Sequence, residues 1–183
     1  MGPGVRRDDA AFCAGRAAMT PRLRLGVIAA IAALLADQAS KLWLLFAFDI
    51  AGRGAVSVTS FFDLVLAWNT GISYGWFQTD SALGHAALLA FKAVAVIVLA
   101  VWMTRAQTRT ATVALGLIIG GAIGNAIDRL LWGAVVDFAH FHVKLGENDF
   151  SWYVFNLADT AIVVGVAALL YDSLFGEPAV KAP

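Results

Sequence analysis

Four stretches of about twenty mostly apolar residues constrain this chain more than any other feature. A helix rises 1.5 Å per residue, so ~20 residues cross the ~30 Å hydrocarbon layer of a bilayer. Stretches 25–48, 83–103, 111–132 and 154–175 meet that length. In lipid each must be helical, because no water is present to satisfy the backbone N–H and C=O groups. Composition agrees: 60% of residues are hydrophobic and 14% charged, against about a quarter charged in a soluble domain. The expected fold is therefore an α-helical integral membrane protein with four transmembrane helices and a small extracytoplasmic β-rich platform.

The placement of charge orients the spans, because short cytoplasmic segments carry an excess of Lys and Arg. Arg6, Arg7, Arg16, Arg22 and Arg24 precede the first span, and Arg105 and Arg109 occupy the short turn between the second and third. The first long connection has only Arg53 against Asp49, Asp63 and Asp80, and the second only Lys144 beyond the span-end Arg129. The predicted organisation is a cytoplasmic tail 1–24, one four-span domain 25–175 with outer loops 49–82 and 133–153, and a cytoplasmic tail 176–183. The first apolar run is too long for a signal-peptide core and reads as a retained helix. Met19 is an alternative start. The net charge of +0 gives no sign of a nucleic-acid partner. The single cysteine, Cys13, excludes an internal disulfide and reads as an incidental tail residue.

Within the first outer loop, Val56, Val58, Phe61, Phe62, Leu64, Val65, Leu66 and Trp68 follow Gly52 and Gly54, which is strand chemistry. A small sheet at the membrane surface is expected there, forming a platform over residues 55–77. Trp76 and Phe77 fit an interfacial aromatic belt, as do the other tryptophans.

An ionisable group at a helix centre costs roughly 2.5 to 3.5 kcal/mol on insertion scales, so each one in a span requires an explanation. The first span holds Asp37-Gln38-Ala39-Ser40-Lys41, with acid and base four apart on one helical face. They form either a self-neutralising pair or a brace for something at the outer end of the bundle. In the third span Gly116, Gly120 and Gly124 make a small-residue stripe that admits a neighbouring helix. Gly121, Asn125 and Asp128 share a second face, which carries polarity to the outer end. Lys92 lies in the second span without a functional reading, and His85 begins that span as an interfacial residue. His140 and His142 alternate with Phe141 in strand fashion, and they lack a further ligand of metal-site spacing.

Two more acids lie at the same end. Asp137 follows Val135-Val136, just outside the third span, and Asn156 and Asp159 share a face at the start of the fourth. Two carboxylates that share a site cannot readily both ionise, so one proton is held between them near neutral pH. The ionised member can then take a proton from water while the protonated one polarises a carbonyl, which is aspartic peptidase chemistry. The residues alone leave other readings open. Either acid can cap a helix end or pair with Arg129, and intramembrane charge also marks ion transporters. A glycine stripe also suits a structural assembly factor.

Four blocks in order resemble the signal peptidase II, or lipoprotein signal peptidase, family. They are Asp37-Gln38-Ala39-Ser40-Lys41, Asn69-Thr70-Gly71-Ile72-Ser73-Tyr74-Gly75, the run from Gly120 to Phe138, and Phe155-Asn156-Leu157-Ala158-Asp159. The resemblance covers residues 25–175. Ile72 and Tyr74 depart from the family's usual residues in the second block, and nothing before Thr20 matches. The resemblance implies an aspartic endopeptidase that removes signal peptides from diacylglyceryl-modified prolipoproteins, cutting just before the lipidated cysteine. It carries the catalytic pair onto Asp137 and Asp159, and supporting roles onto Asp37, Lys41, Asn69, Gly121, Asn125, Asp128, Arg129 and Asn156. Of these, Asn69 and Arg129 are expected to contact substrate backbone, Asn125 and Asn156 to hold carboxylates or substrate, and Asp37 with Lys41 to order the site. The implied enzyme works in the bacterial inner membrane as a monomer. Both its termini are cytoplasmic, its site lies near the outer face, it is in contact with membrane lipid, and it needs no cofactor or metal.

Overall fold

The computed structural model describes residues 19–71, 82–145 and 148–176. Cys13, Ile72, Tyr74, Trp76 and Phe77 lie outside the described residues, as do the side chains of His85 and Lys144. The chain runs α1 (Pro21–Leu42), a π-helical turn (Trp43–Ala47), α2 (Ile50–Arg53), β1 (Val56–Thr59), β2 (Phe62–Asn69), α3 (Ala82–Arg105), α4 (Arg109–Trp132), β3 (Val135–Leu145), β4 (Asn148–Ser151) and α5 (Leu157–Phe175).

Polar side chains cap the starts of α1, α4 and α5. The Thr20 hydroxyl accepts from Leu23 N at 3.2 Å, with Pro21 in the first helical turn, where its missing N–H costs nothing. Thr108 accepts from Ala111 N at 3.0 Å to open α4. Asn156 and Asp159 form a reciprocal capping box at α5. The fourth helix therefore begins at Leu157 rather than at 154, because Phe155 is taken up by a β-bridge to Ala139.

Among the described residues, Pro21–Ala47, Arg109–Trp132 and Leu157–Phe175 are long and apolar enough to cross a membrane. The 24-residue α3 lies against α4 and exposes Phe91, Val94, Ile97 and Val98 on its outer side. α4 is the central helix, packed by α1, α3 and α5. Lipid tails are as apolar as leucine, so close packing rather than hydrophobic burial must hold such helices together. Gly116, Gly120 and Gly124 supply it: a Cβ on them would strike the Gly26 carbonyl, the Ala30 carbonyl and the Asp37 carboxylate of α1, respectively. On the opposite side of α4, a Cβ on Gly121 would strike the Ala158 carbonyl of α5. The expected stripe thus joins α1, and Gly121 brings in α5 as well.

Both long connections meet at one end of the bundle as a four-stranded antiparallel sheet, in the order β1-β2-β3-β4. The strands read in the first loop are present, but the longest strand, the 11-residue β3, comes from the second loop. Gly133 makes this possible: its φ of +73° turns the chain sharply out of α4 into β3, a conformation glycine adopts without a Cβ penalty. From Ala134 to Ala139 every residue is buried. Phe138 and Ala139 form a core with Leu44 and Ile50, packed by Phe62, Leu64 and Phe155. Such all-round burial removes the alternation that marks a half-exposed strand. Around this end the exposed rings of Trp68 and Phe46 each lie 6.3 Å from Trp132, in the manner of an interfacial belt.

His142 Nε2 lies 3.0 Å from Asp63 Oδ2, and His140 Nε2 lies 2.6 Å from Ser151 Oγ. His140 thereby links β3 to β4, and His142 faces Asp63 of β2.

Overpacking a close helix contact costs typically 1–3 kcal/mol. Gly120→Val is expected to lower the thermal unfolding midpoint in detergent by several degrees, followed by circular dichroism. Ala167→Val, on an exposed position of α5, should leave it within a degree or two.

Candidate active site

The polar residues of the spans converge at the sheet end of the bundle. Asp37, Lys41 and Asp128 are each at most 2% exposed. A charge so buried is tolerated only when it is paired and hydrogen-bonded. Lys41 Nζ has three N–H bonds and three acceptors: Asp128 Oδ2 at 2.7 Å, Asp37 Oδ2 at 2.8 Å and Asn125 Oδ1 at 3.1 Å. The four-residue spacing read from the sequence places Asp37 below Lys41 on α1, and α4 brings the second acid.

Each acid is also anchored to a segment that carries the site. Asp37 Oδ1 accepts from Ala158 N at 2.9 Å, in the first turn of α5. Asp128 Oδ2 accepts from Val136 N at 3.1 Å, one residue before Asp137. The Gln38 amide joins them, donating to Asp128 Oδ1 at 2.9 Å and to Asp37 Oδ2 and the Gly124 carbonyl at 3.2 Å each. Gln38 was not singled out from the sequence. Its signal was a second polar side chain between two ionisable ones inside a span.

This cluster positions two asparagines against two further aspartates. Asn125 accepts from Lys41 and donates to Asp159 Oδ1 at 2.8 Å. Asn156 is fully buried, and its Nδ2 donates to Asp137 Oδ1 at 2.6 Å and to Asn125 Oδ1 at 3.1 Å. Its backbone N donates to Asp159 Oδ2 at 3.3 Å. One residue therefore holds both carboxylates, one through its side chain and the other through its backbone. Asp159 is a helix-capping acid here as well.

Asn69 Nδ2 donates to Asp137 Oδ2 at 3.1 Å. Arg129 donates to the Asn125 carbonyl at 3.1 Å and to the Gly71 carbonyl at 3.3 Å, which ties the second block to α4. Lys92, without a functional reading in the sequence, is half-buried on α3, a helix apolar on nearly every side.

Asp137 is 3% exposed. Burial is the main cause that pushes its carboxyl up to about 6, and the neighbouring Asp159 charge adds to it. The hydrogen bonds from Asn69 and Asn156 oppose the shift without cancelling it. Asp137 thus holds its proton above the usual carboxylate range.

Two expectations follow from this network. Lys41→Met leaves Asp37 and Asp128 facing each other without a cation, and loss of one partner of a buried pair costs about 3–5 kcal/mol. Unfolding in detergent should register it as a large drop in midpoint. Asp137 binds its proton more tightly in the folded than in the unfolded chain, so stability falls as pH rises from 3.8 to about 6 and is level above. Thermal midpoints of the wild type measured against Asp137→Asn should therefore decline across that window and then run parallel.

Residues 29–175 match the family model for signal peptidase (SPase) II. The lipoprotein signal peptidase of Nitrobacter hamburgensis is 73% identical over 165 residues, covering 90% of this chain and 100% of that one. The lipoprotein signal peptidase of Rhodopseudomonas palustris is 67% identical over the same shares. A solved bacterial membrane enzyme, determined by the in meso method at 1.9 Å resolution, has the same fold: its TM-score is 0.67 at 24% identity, over 83% of this chain and 94% of that one. These matches take in the helical bundle, its sheet and every residue of the polar cluster, and the chain belongs to the signal peptidase II family.

Proposed function

We propose that this protease is an aspartic endopeptidase that removes the signal peptide from diacylglyceryl-modified prolipoproteins just before the lipidated cysteine, with Asp137 and Asp159 as its catalytic pair. One observation carries the mechanism: Asn156 donates to Asp137 from its side chain and to Asp159 from its backbone, which seats two carboxylates side by side. The substrate class comes from the lipoprotein signal peptidases that the chain resembles.

The chemistry follows from the protonation of the pair. Asp137 carries the proton, as its raised affinity favours, and Asp159 serves as the base. Asp159 takes a proton from water, whose oxygen adds to the scissile carbonyl carbon, while Asp137 hydrogen-bonds the carbonyl oxygen. Collapse of the tetrahedral intermediate breaks the C–N bond, and the proton on Asp159 goes to the leaving amine. Asn69, Asn125 and Asn156 hold the carboxylates in place. Lys41, Asp37, Asp128 and Gly121 keep α1, β3 and α5 in register around α4. Arg129 holds the Asn69–Gly71 segment where substrate backbone would enter.

The domain spans residues 25–175 with four crossings, the apolar 24-residue α3 being one of them. Both tails lie in the cytoplasm, since Arg22, Arg24, Arg105 and Arg109 gather at the end opposite the aspartates. This orientation puts the sheet and the pair at the outer face of the bacterial inner membrane, at the depth of a peptide tethered by acyl chains. One chain supplies every residue of the mechanism, consistent with a monomer.

Asp137→Asn and Asp159→Asn should each reduce processing of a lipid-modified precursor in detergent by at least about 10²-fold, with helicity retained. Processing at near the normal rate by either variant would remove that residue from the pair.

A further inference from the structure

The end of the bundle away from the aspartates has a feature that the peptidase reading does not use. Between the last turns of α3 and α5 and the start of α4 lies a groove of about 510 Å³. Trp102, Val166 and Leu170 line its inward part and remain 51%, 44% and 59% exposed. Arg105, Thr108 and Asp172 line its outer end. The order is set by helical geometry: Trp102 is one turn before Arg105, and Leu169 one turn before Asp172. Polarity therefore rises along the groove from the bilayer interior towards the helix ends, as it does along a phospholipid.

The two charges are available to a ligand. Asp172 Oδ2 accepts from the Thr108 hydroxyl at 2.9 Å, which holds the carboxylate at the rim. Among the described residues no hydrogen bond or ion pair engages the Arg105 guanidinium. The turn beneath is braced, because Arg22 donates to the Gln107 carbonyl and Gln107 Nε2 donates to the Arg105 carbonyl at 2.8 Å.

We propose that this groove binds one phospholipid with a primary ammonium and a phosphate in its headgroup, of the phosphatidylethanolamine class. Arg105 takes the phosphate, where a planar guanidinium fits two oxygens. Asp172 takes the ammonium, and an acyl chain lies along Trp102, Val166 and Leu170. The carboxylate decides the headgroup. It repels a headgroup of net negative charge, and a trimethylammonium offers it no N–H to accept.

Native mass spectrometry of the full chain in non-ionic detergent tests this with phosphatidylethanolamine, phosphatidylglycerol and phosphatidylcholine of identical acyl chains. One phosphatidylethanolamine should be retained about fivefold more tightly than either of the others, the range of an exposed ion pair. Asp172→Asn keeps an acceptor for Thr108 and should erase that preference. Arg105→Gln should weaken phosphatidylethanolamine and phosphatidylglycerol alike, and Arg105→Lys should restore much of the binding. Equal retention of the three lipids by the wild type would overturn the proposal, as would a preference that survives Asp172→Asn. The arginine variants keep the test open should the aspartate variant fail to fold.

Discussion

The Lys41 ammonium, enclosed by Asp37, Asp128 and Asn125, is the interaction on which the rest of the structure depends. Desolvating a charge is costly, and here the cost is offset only because all three of its hydrogens find acceptors and two of those are anionic. Those acceptors sit on two helices, and the two carboxylates among them also accept from the backbone of a third helix and a strand. A single cation thereby holds α1, α4, α5 and β3 in one arrangement. The helices themselves, surrounded by lipid, have little preference for one rotation over another.

Close approach is the other half of that arrangement. Gly124 lies against the Asp37 carboxylate, and Gly121 against the Ala158 carbonyl, one residue before Asp159. Small residues therefore bring backbones together where the polar network needs them, and any side chain there would displace a carboxylate as well as a helix. Packing and chemistry are inseparable at this end of α4.

The same economy governs Asn156. As the N-cap of α5 it satisfies helix N–H groups that would otherwise be orphaned. As a buried amide it donates to Asp137 and receives its own order from Asn125 and the turn. Helix initiation and carboxylate placement are one event, which accounts for an acid of the pair lying in the first turn of a span, near water, and not at its centre.

Much of this was legible without coordinates. Lipid as solvent was written in four apolar runs, the Asp37–Lys41 spacing announced a face, and the glycine periods announced helix contacts, because each depends only on local geometry and bilayer thickness. The proposal that Asp137 and Asp159 act as a pair draws on the four motif blocks and on the asparagine that bonds both. What the chain order could not express was which partner each polar group would find. Lys41 took its second acid from 87 residues away in the chain, Asn69 turned to Asp137, and Gln38 bridged Asp37 and Asp128. The longest strand came from the second loop, where burial of every residue from Ala134 to Ala139 removes the alternation that identifies a strand. Sequence alone determined the solvent, the helices and the types of residue at the site. The tertiary structure decided which of them meet, since a buried hydrogen-bond network is satisfied only by the simultaneous position of every donor and acceptor in it.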